Sequence, residues 1–271
     1  MRSVAHAAPL APADPLRRLR RYVSRVGTFC LVELQKLSHD RSELVTRAIQ
    51  PVLWLLVFGE TFNRIHAIPT GTLSYLEFLT PGIIAQSGLF VAIFYGIMII
   101  WERDSGVLTK LLVTPTPRSA LILGKSFAAA IRAFAQVVVV LVLATILGVS
   151  LTLGPLDVVG SVVAVVLGAA FFSCLSMTIA GIVLRRDRLM GIGQMITMPL
   201  FFASNALYPV HIMPGWIRVL TKINPLSYEV DALRGMLVGS SWNPWLDFAV
   251  LLLAVVLGVA TSSMLVGRLA R

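Results

Sequence analysis

The charged stretch ERDSGVLTKLLVTPTPRSALILGKS, residues 102–126, lies between two runs that are apolar enough to cross a bilayer. The apolar positions of its first half recur at helical spacing, and they are Val107, Leu108, Leu111 and Leu112. The charged positions among them are Arg103, Asp104 and Lys110. This pattern predicts a short amphipathic helix over Glu102–Thr114 at the membrane surface, which Pro115 and Pro117 end.

The composition of the chain is that of a polytopic membrane protein. The 271 residues are 57% hydrophobic and 13% charged, and the mean hydropathy is +0.84. Six apolar runs have about the length that a helix needs to cross the hydrocarbon layer, and they are residues 44–62, 78–101, 133–153, 158–184, 189–208 and 248–267. We therefore expect an all-α membrane protein with six transmembrane helices.

The basic residues predict that both ends of the chain lie in the cytosol. Nineteen of the 23 lysines and arginines fall on the side assigned to the cytosol. The four on the outer side are Arg64, Arg218, Lys222 and Arg234.

The part of the chain before the first apolar run divides in two. Residues 1–15 are rich in alanine and proline, and we expect them to form a disordered tail. Residues 16–43 combine one apolar stripe with flanking arginines, which favours an amphipathic helix lying flat on anionic lipid. The same pattern also suits a solvated helix whose charges only enforce topology. Residues 44–271 form the predicted membrane domain.

The segment between the fifth and sixth runs, residues 211–239, is too charged and too often broken to be a span. Pro214-Gly215 and Asn224-Pro225 divide it into two short predicted helices, Trp216–Lys222 and Leu226–Val238. One arrangement is a re-entrant hairpin that dips part-way into the membrane from outside. The other is an external loop whose helices rest on the leaflet, and the residue pattern leaves both open.

The chain offers few residues for chemistry of its own. Gly124-Lys125-Ser126 matches the end of a phosphate-binding loop, but Ser119 stands where that loop needs a glycine. The histidines and the two cysteines lack the spacing of a metal site, and we expect no disulfide. We therefore expect no cofactor, no metal and no catalytic residue.

The acidic residues argue against an ion-coupled transporter. Such a protein usually keeps carboxylates at the centre of its spans. Here the acids of the outer half fall at span ends or in outer loops, and they are Glu60, Glu77, Asp157, Glu229, Asp231 and Asp247. We expect the energy for any transport to arrive from a partner protein.

Two stretches together resemble the permeases of the type-2 ABC export family, and they are similar to those of the daunorubicin-type and Nod-factor-type exporters. The first is a Glu, an Arg, a Gly, a leucine pair and Thr-Pro, here Glu102, Arg103, Gly106, Leu111, Leu112, Thr114 and Pro115. The second is Asn-Pro-Leu-Ser-Tyr followed by an Arg, here Asn224, Pro225, Tyr228 and Arg234. Both occur in the order and spacing of the family.

The resemblance implies the transmembrane subunit of an exporter in the bacterial cytoplasmic membrane. Such a subunit forms a homodimer or heterodimer and binds two ATPase subunits, which hydrolyse the ATP. The implied coupling helix, residues 102–114, would contact the ATPase through Glu102, Arg103, Asp104, Gly106, Val107, Leu108, Leu111, Leu112, Thr114 and Pro115. In this reading Glu102 and Arg103 latch the helix at the end of the second span.

The resemblance also favours the re-entrant arrangement of residues 211–239 over the external loop. The hairpin residues that it implies are Asn224, Pro225, Tyr228, Glu229 and Arg234. In the family such a hairpin closes the exit of the transport pathway.

The substrate is indicated only by bulky apolar residues on the second and fifth runs, which are Phe90, Phe94, Met195, Phe201 and Phe202. They suit a drug, an antibiotic or a lipid, although such residues also serve as ordinary packing. The alternatives are a polysaccharide or lipid-linked glycan exporter and, from a different class, a membrane enzyme or assembly factor without transport activity.

Overall fold

The computed structural model describes residues 15–39, 49–65, 68–113, 117–152 and 154–269, and no strand occurs among them. The longer helices are α1 (Pro15–His39), α3 (Tyr75–Asp104), α5 (Arg118–Ile146), α6 (Pro155–Val183), α7 (Arg186–Phe202) and α10 (Pro244–Leu265). The shorter ones are a π-helical segment (Trp54–Gly59), α2 (Glu60–Ile65), α4 (Val107–Val113), α8 (Gly215–Ile223) and α9 (Pro225–Val238). The prediction of an all-α fold is confirmed for this part of the chain.

Within the described part of the chain, four helices are long and apolar enough to cross a membrane, namely α3, α5, α6 and α10 with its continuation to Arg268. At 1.5 Å per residue the 30 residues of α3 extend about 45 Å, which exceeds a hydrocarbon layer of about 30 Å. The predicted fifth span corresponds to α7. Its 17 helical residues are too few for α7 to count among the helices long enough to cross a membrane. The predicted first span begins outside the described residues, and its described part, residues 49–65, is helical. Six spans remain a prediction.

Helix α3 is the centre of the bundle. It packs against α5, α6, α7, α9 and the π-helical segment. Its start is fixed by Ser74, whose hydroxyl accepts from the backbone of Glu77 while the Glu77 carboxylate accepts from the backbone of Ser74. In its second half Gly96 allows α6 to approach so closely that a methyl group there would overlap Ser176. The Ser176 hydroxyl then donates to the carbonyl of Ile93 at 2.7 Å.

Helix α5 corrects the predicted limits of the third span. The apolar run suggested residues 133–153, but the helix starts at Arg118 and ends at Ile146. Gly148 ends it by adopting a left-handed conformation (φ +79°), and the backbone of Val149 then bonds to the carbonyl of Ala144. Arg132, which the sequence suggested to be a charge on the approach to the span, lies inside the helix with 4% of its surface exposed.

The amino-terminal helix α1 packs along α5, and the Tyr22 hydroxyl donates to Ser119 Oγ at 3.1 Å. Val23 and Leu31 on α1 are more than half exposed. The predicted disordered tail lies outside the described residues except Pro15, which starts α1. The predicted interfacial role of residues 16–43 stays a prediction.

Candidate functional site

The carboxyl-terminal end of α3 is joined to α5 by an ion pair. The Nζ atom of Lys125 lies 2.6 Å from Oε1 of Glu102, and both side chains are nearly buried. Lys125 belongs to the Gly124-Lys125-Ser126 triplet, which is an internal part of α5 and not a loop before a helix. Ser126 Oγ lies 3.1 Å from Cys174 Sγ of α6. These residues therefore pack helices together.

The next residue of α3, Arg103, reaches α6. Its guanidinium donates to the Leu184 carbonyl at 2.8 Å and to the Asp104 carboxylate at 2.8 Å. Leu184 caps α6 in a left-handed conformation (φ 57°), which aims its carbonyl at Arg103. The expected latch at Glu102 and Arg103 thus consists of two separate contacts, one with α5 and one with α6.

Trp101 completes the set of contacts at this end. The Arg186 guanidinium at the start of α7 lies 4.0 Å from the centre of its ring. Three successive residues of α3 therefore contact three different helices. Movement of this end of α3 would therefore change its contacts with α5, α6 and α7 together.

The prediction of one continuous helix over residues 102–114 is wrong. Glu102, Arg103 and Asp104 form the last turn of α3, and the separate helix α4 starts at Val107. Gly106 makes the break because it adopts a left-handed conformation (φ +72°), which ends an α-helix. Its amide donates to the Arg103 carbonyl at 2.9 Å.

Some side chains of helix α4 are buried in the bundle and others are exposed. Leu108 is fully buried and Leu111 and Leu112 are half-buried, whereas Val107 and Val113 are exposed. Lys110 is exposed as well. The predicted site residues Thr114 and Pro115 lie outside the described residues. A seven-residue helix with exposed apolar and basic residues is therefore held at the end of α3 by a glycine turn.

At the opposite end of the bundle, the two predicted helices of residues 211–239 are present as α8 and α9. Asn224 connects them, and its Oδ1 caps α9 by accepting from the Leu226 amide at 3.1 Å. Its Nδ2 donates to the carbonyls of Leu200 at 2.7 Å and Ala203 at 3.2 Å. One buried amide therefore starts α9 and fastens it to the end of α7.

Two further residues of the predicted hairpin, Pro225 and Tyr228, lie at the start of α9. Pro225 is the first residue of α9, where its missing amide hydrogen costs nothing. The Tyr228 hydroxyl donates to the Lys222 carbonyl at 2.6 Å and so ties the two hairpin helices together.

Arg234 ties α9 to α3. Its guanidinium lies 3.9 Å from the centre of the Phe78 ring and donates to the Asn205 carbonyl at 2.9 Å. Asp231, one turn earlier, lies 3.6 Å from Arg234 and accepts from Asn205 at 2.5 Å. The amino-terminal end of α3 is thus connected to α9, as its carboxyl-terminal end is connected to α5, α6 and α7.

Glu229 corrects the expectation that carboxylates stay away from the middle of the bundle. It is fully buried, and neither carboxylate oxygen has a hydrogen-bond partner among the described residues. The oxygens lie against Gly168 of α6 and near Gly88 of α3. The sequence placed Glu229 in an outer segment, but α9 packs between α3, α6 and α10 and carries this side chain inward.

The predicted pathway residues are only partly brought together. Phe201 is buried and its ring centre lies 5.7 Å from that of Trp54, while Phe202 and Met195 on the same helix are exposed. Phe90 and Phe94 stand one turn apart on α3, half-buried and exposed respectively. Met195 borders an apolar groove of about 370 Å³ that Pro199, Leu220 and Pro225 also line.

An aromatic row that starts at Trp54 was missed from the sequence. Trp54 stacks on Phe58 with ring centres 4.4 Å apart, and Phe58 stacks on Phe62 at 6.3 Å. Phe62 in turn contacts Tyr75 at the start of α3. The four-residue spacing of Trp54, Phe58 and Phe62 was the available signal.

The fold and these contacts define a helical membrane protein whose central helix is tied to its neighbours at both ends. The family model described as ABC-2 type transporter matches residues 26–238, and the chain belongs to this family.

The relatives include a daunorubicin resistance ABC transporter permease protein, DrrB1, of Streptomyces coeruleorubidus, 24% identical over 81% of this chain and 77% of that protein. A putative transport permease, ycf38, of Pyropia yezoensis is 30% identical over 74% of this chain and 69% of its own. Nodulation protein J of Rhizobium meliloti is 24% identical over 70% of this chain and 72% of its own.

Proposed function

We propose that this chain is the transmembrane permease subunit of an ATP-driven exporter, and that a separate ATPase subunit hydrolyses the ATP. Membership of the ABC-2 type transporter family supports this proposal. The observation that carries it is α4, a short helix with exposed Val107, Lys110 and Val113 attached to the central helix by a single glycine turn. We assign its exposed face to the contact with the ATPase.

The contacts at the end of α3 give this helix a mechanical connection to the bundle. A displacement of α4 by the ATPase would pass through the Gly106 turn to the last turn of α3. From there the Glu102–Lys125 pair and the Arg103–Leu184 bond would carry it to α5 and α6. The outer end of α3 would move α9 through Arg234. In this proposal α9 closes the exit and α3 links it to ATP hydrolysis.

The substrate that we propose is a hydrophobic or amphipathic molecule, such as a drug or a lipid. The groove beside Met195 is lined almost entirely by apolar atoms and adjoins the hairpin at Pro225. The name of the Streptomyces relative, a daunorubicin resistance permease, agrees with this class. A polysaccharide or a lipid-linked glycan is the alternative substrate.

We further propose that the protein lies in the bacterial cytoplasmic membrane with six spans and both ends in the cytosol. Two ATPase subunits and a second permease subunit would complete the transporter. The four candidate spans and the bias of basic residues toward the assigned cytosolic side support this arrangement.

The test is reconstitution with a candidate ABC ATPase from the same organism. We expect the two subunits to copurify and the permease to stimulate ATP hydrolysis in proteoliposomes. A panel of dyes, antibiotics and lipids would then be tested for ATP-dependent movement. Absence of both copurification and stimulation would contradict the proposal. Stimulation by a lipid-linked glycan but not by drugs would favour the alternative substrate.

A further inference from the structure

The carboxyl group of Glu229 occupies a slot made by glycine. A methyl group on Gly168 of α6 would overlap both the carboxyl carbon and Oε2 of Glu229, so the carboxyl takes the space that a side chain at residue 168 would fill. On the other side, a methyl group on Gly88 of α3 would lie 3.7 Å from Oε1, at ordinary contact distance. Ala133 of α5 and Val165 of α6 also border the slot. The surroundings are apolar and fitted to the carboxyl.

The slot lies halfway along the central helices. Gly88 is near the midpoint of α3, which spans Tyr75–Asp104, and Gly168 is near the midpoint of α6, which spans Pro155–Val183. Both helices are long enough to cross the hydrocarbon layer. Glu229 is therefore as far from the two ends of these helices as their length allows.

The other charged and titratable groups on the helices that pack around Glu229 contact residues other than Glu229. On its own helix, Asp231 and Arg234 contact each other and Asn205. On α5, the Arg132 guanidinium lies over the Tyr95 ring of α3 and Lys125 pairs with Glu102. The corresponding groups on the other helices are Cys174 of α6, beside Ser126, Asp247 in the first turn of α10, and Tyr75 and Glu77 in the first turn of α3. No hydrogen bond or ion pair joins any of these described groups to Glu229.

An ionised carboxylate in such a place would be fully buried, and no cation among the described residues pairs with it. Burial of an unpaired charge costs several kcal/mol, and a buried carboxyl avoids this cost by taking up a proton. The neutral acid fits the slot because it carries no net charge. If α9 moves outward and the carboxyl meets water, the ionised form becomes the stable one.

We propose that Glu229 is a proton-binding site that links the position of α9 to the pH outside the membrane. Entry into the Gly88–Gly168 slot adds one proton to a carboxylate oxygen, and departure from the slot returns that proton to water, with no other bond changed. Each closure of the hairpin therefore binds a proton and each opening releases one. This inference rests on the proposed function in one respect, which is that α9 opens and closes during export.

The direct test is infrared spectroscopy of the purified full-length permease in lipid nanodiscs, without ATP or an ATPase. We expect the wild-type protein at neutral pH to show the carbonyl stretch of a buried protonated carboxylic acid. Glu229→Gln should lose this band while keeping the shape of the side chain. Glu60→Gln, which changes an exposed carboxylate, should retain it. A wild-type spectrum without the band, or a band that persists in Glu229→Gln, would overturn the inference.

A second measurement uses thermal unfolding at several pH values. A carboxyl that holds its proton more tightly when folded contributes stability at acid pH, and this contribution is lost as the pH rises. Between pH about 5 and about 9, the unfolding temperature of the wild type should therefore fall relative to that of Glu229→Gln. Parallel curves for the two proteins would count against proton binding.

The two glycines offer a matched pair of variants. Gly168→Ala should expel the carboxyl and remove or shift the infrared band, whereas Gly88→Ala should leave it in place. An unchanged band in folded Gly168→Ala would contradict the position of the carboxyl in the slot. If this variant does not fold, the comparison of wild type with Glu229→Gln still tests the inference. With the ATPase added, stimulated hydrolysis should depend on outer pH in the wild type and lose that dependence in Glu229→Gln. Absence of any stimulation in the wild type would contradict the proposed function and leave the infrared result standing.

Discussion

Lys125 and Glu102 form an ion pair, 2.6 Å between Nζ and Oε1, where the carboxyl-terminal end of the central helix meets α5. Only 12% and 14% of the two side chains are exposed, so solvent screens the pair weakly. The contact lies directly before the turn that carries α4. In the proposed mechanism it is one of two contacts, with the Arg103–Leu184 bond, through which a displacement of α4 would reach another helix.

Replacement of Glu102 by Ala should lower both stability and coupling. Loss of one partner leaves the Lys125 ammonium nearly buried without its carboxylate, and we expect a destabilisation of about 1–3 kcal/mol, between the ranges for exposed and buried pairs. Permease-stimulated ATP hydrolysis should fall while membrane insertion persists. Glu60→Ala, which breaks the exposed pair with Arg64, is the control and should cost no more than about 1 kcal/mol. Equal stimulation in Glu102→Ala and wild type would contradict the assigned role.

Replacement of Gly106 by Pro should uncouple α4 from α3. Proline fixes φ near −65°, whereas Gly106 has φ +72°, and it also removes the amide that bonds to the Arg103 carbonyl. We expect a large loss of stimulated ATP hydrolysis with insertion retained.

Gly106→Ala meets no atom within 4 Å, so its effect should be confined to a backbone strain of about 1–2 kcal/mol. Gly191→Ala within α7, which also meets open space, is the matched control. It should be neutral or stabilising by up to about 1 kcal/mol, because alanine favours a helix. Full stimulation by Gly106→Pro would show that the turn does not transmit movement.

Replacement of Asn224 by Asp should separate the two functions of this side chain. The aspartate keeps an oxygen for the Leu226 amide but cannot donate to the carbonyls of Leu200 and Ala203. We expect a loss of about 1–3 kcal/mol, because buried carbonyls lose their donor. Asn243→Asp is the control, since Asn243 caps α10 only by accepting from the Leu246 amide. An equal decrease in the unfolding temperature of both variants would show that only the capping bond contributes to stability.

The neighbours Phe201 and Phe202 should differ in what their removal affects. Phe201 is fully buried against Trp54, and Phe201→Ala should cost about 3–5 kcal/mol of stability. Phe202 is 44% exposed, so Phe202→Ala should leave the unfolding temperature nearly unchanged and alter the relative export rates of the substrate panel. The contrary result, a large loss of stability in Phe202→Ala with the same substrate preference, would remove Phe202 from the proposed pathway.

The sequence predicted the helices whose ends carry strong local signals. Pro214, Asn224 and Pro225 marked the limits of α8 and α9 to within about one residue of those observed. The long apolar runs predicted α3, α6 and α10 because the composition of a bilayer-crossing helix is itself the signal.

Features that depend on contacts between distant helices could not be predicted. A glycine such as Gly106 is tolerated within many helices, and only its left-handed backbone shows that the helix is broken there. Arg132 and Glu229 carry charges that normally lie at a membrane surface, but neighbouring helices surround both of them. The cation–π contact of Arg132 with Tyr95 and the glycine slot of Glu229 each involve residues more than 30 positions away.

The π-helical segment Trp54–Gly59 has a consequence for the rotational register of residues 49–65. A π-helical turn accommodates one more residue than an α-helical turn, and one residue of an α-helix corresponds to a rotation of about 100°. If this segment returned to α-helical pairing, everything beyond Gly59 would turn by about that angle relative to Trp54. Phe62 would then leave Tyr75 and present its ring to another neighbour. Such a change would turn another face of the part beyond Gly59 toward the bundle without any tilt or sliding of the part before Trp54.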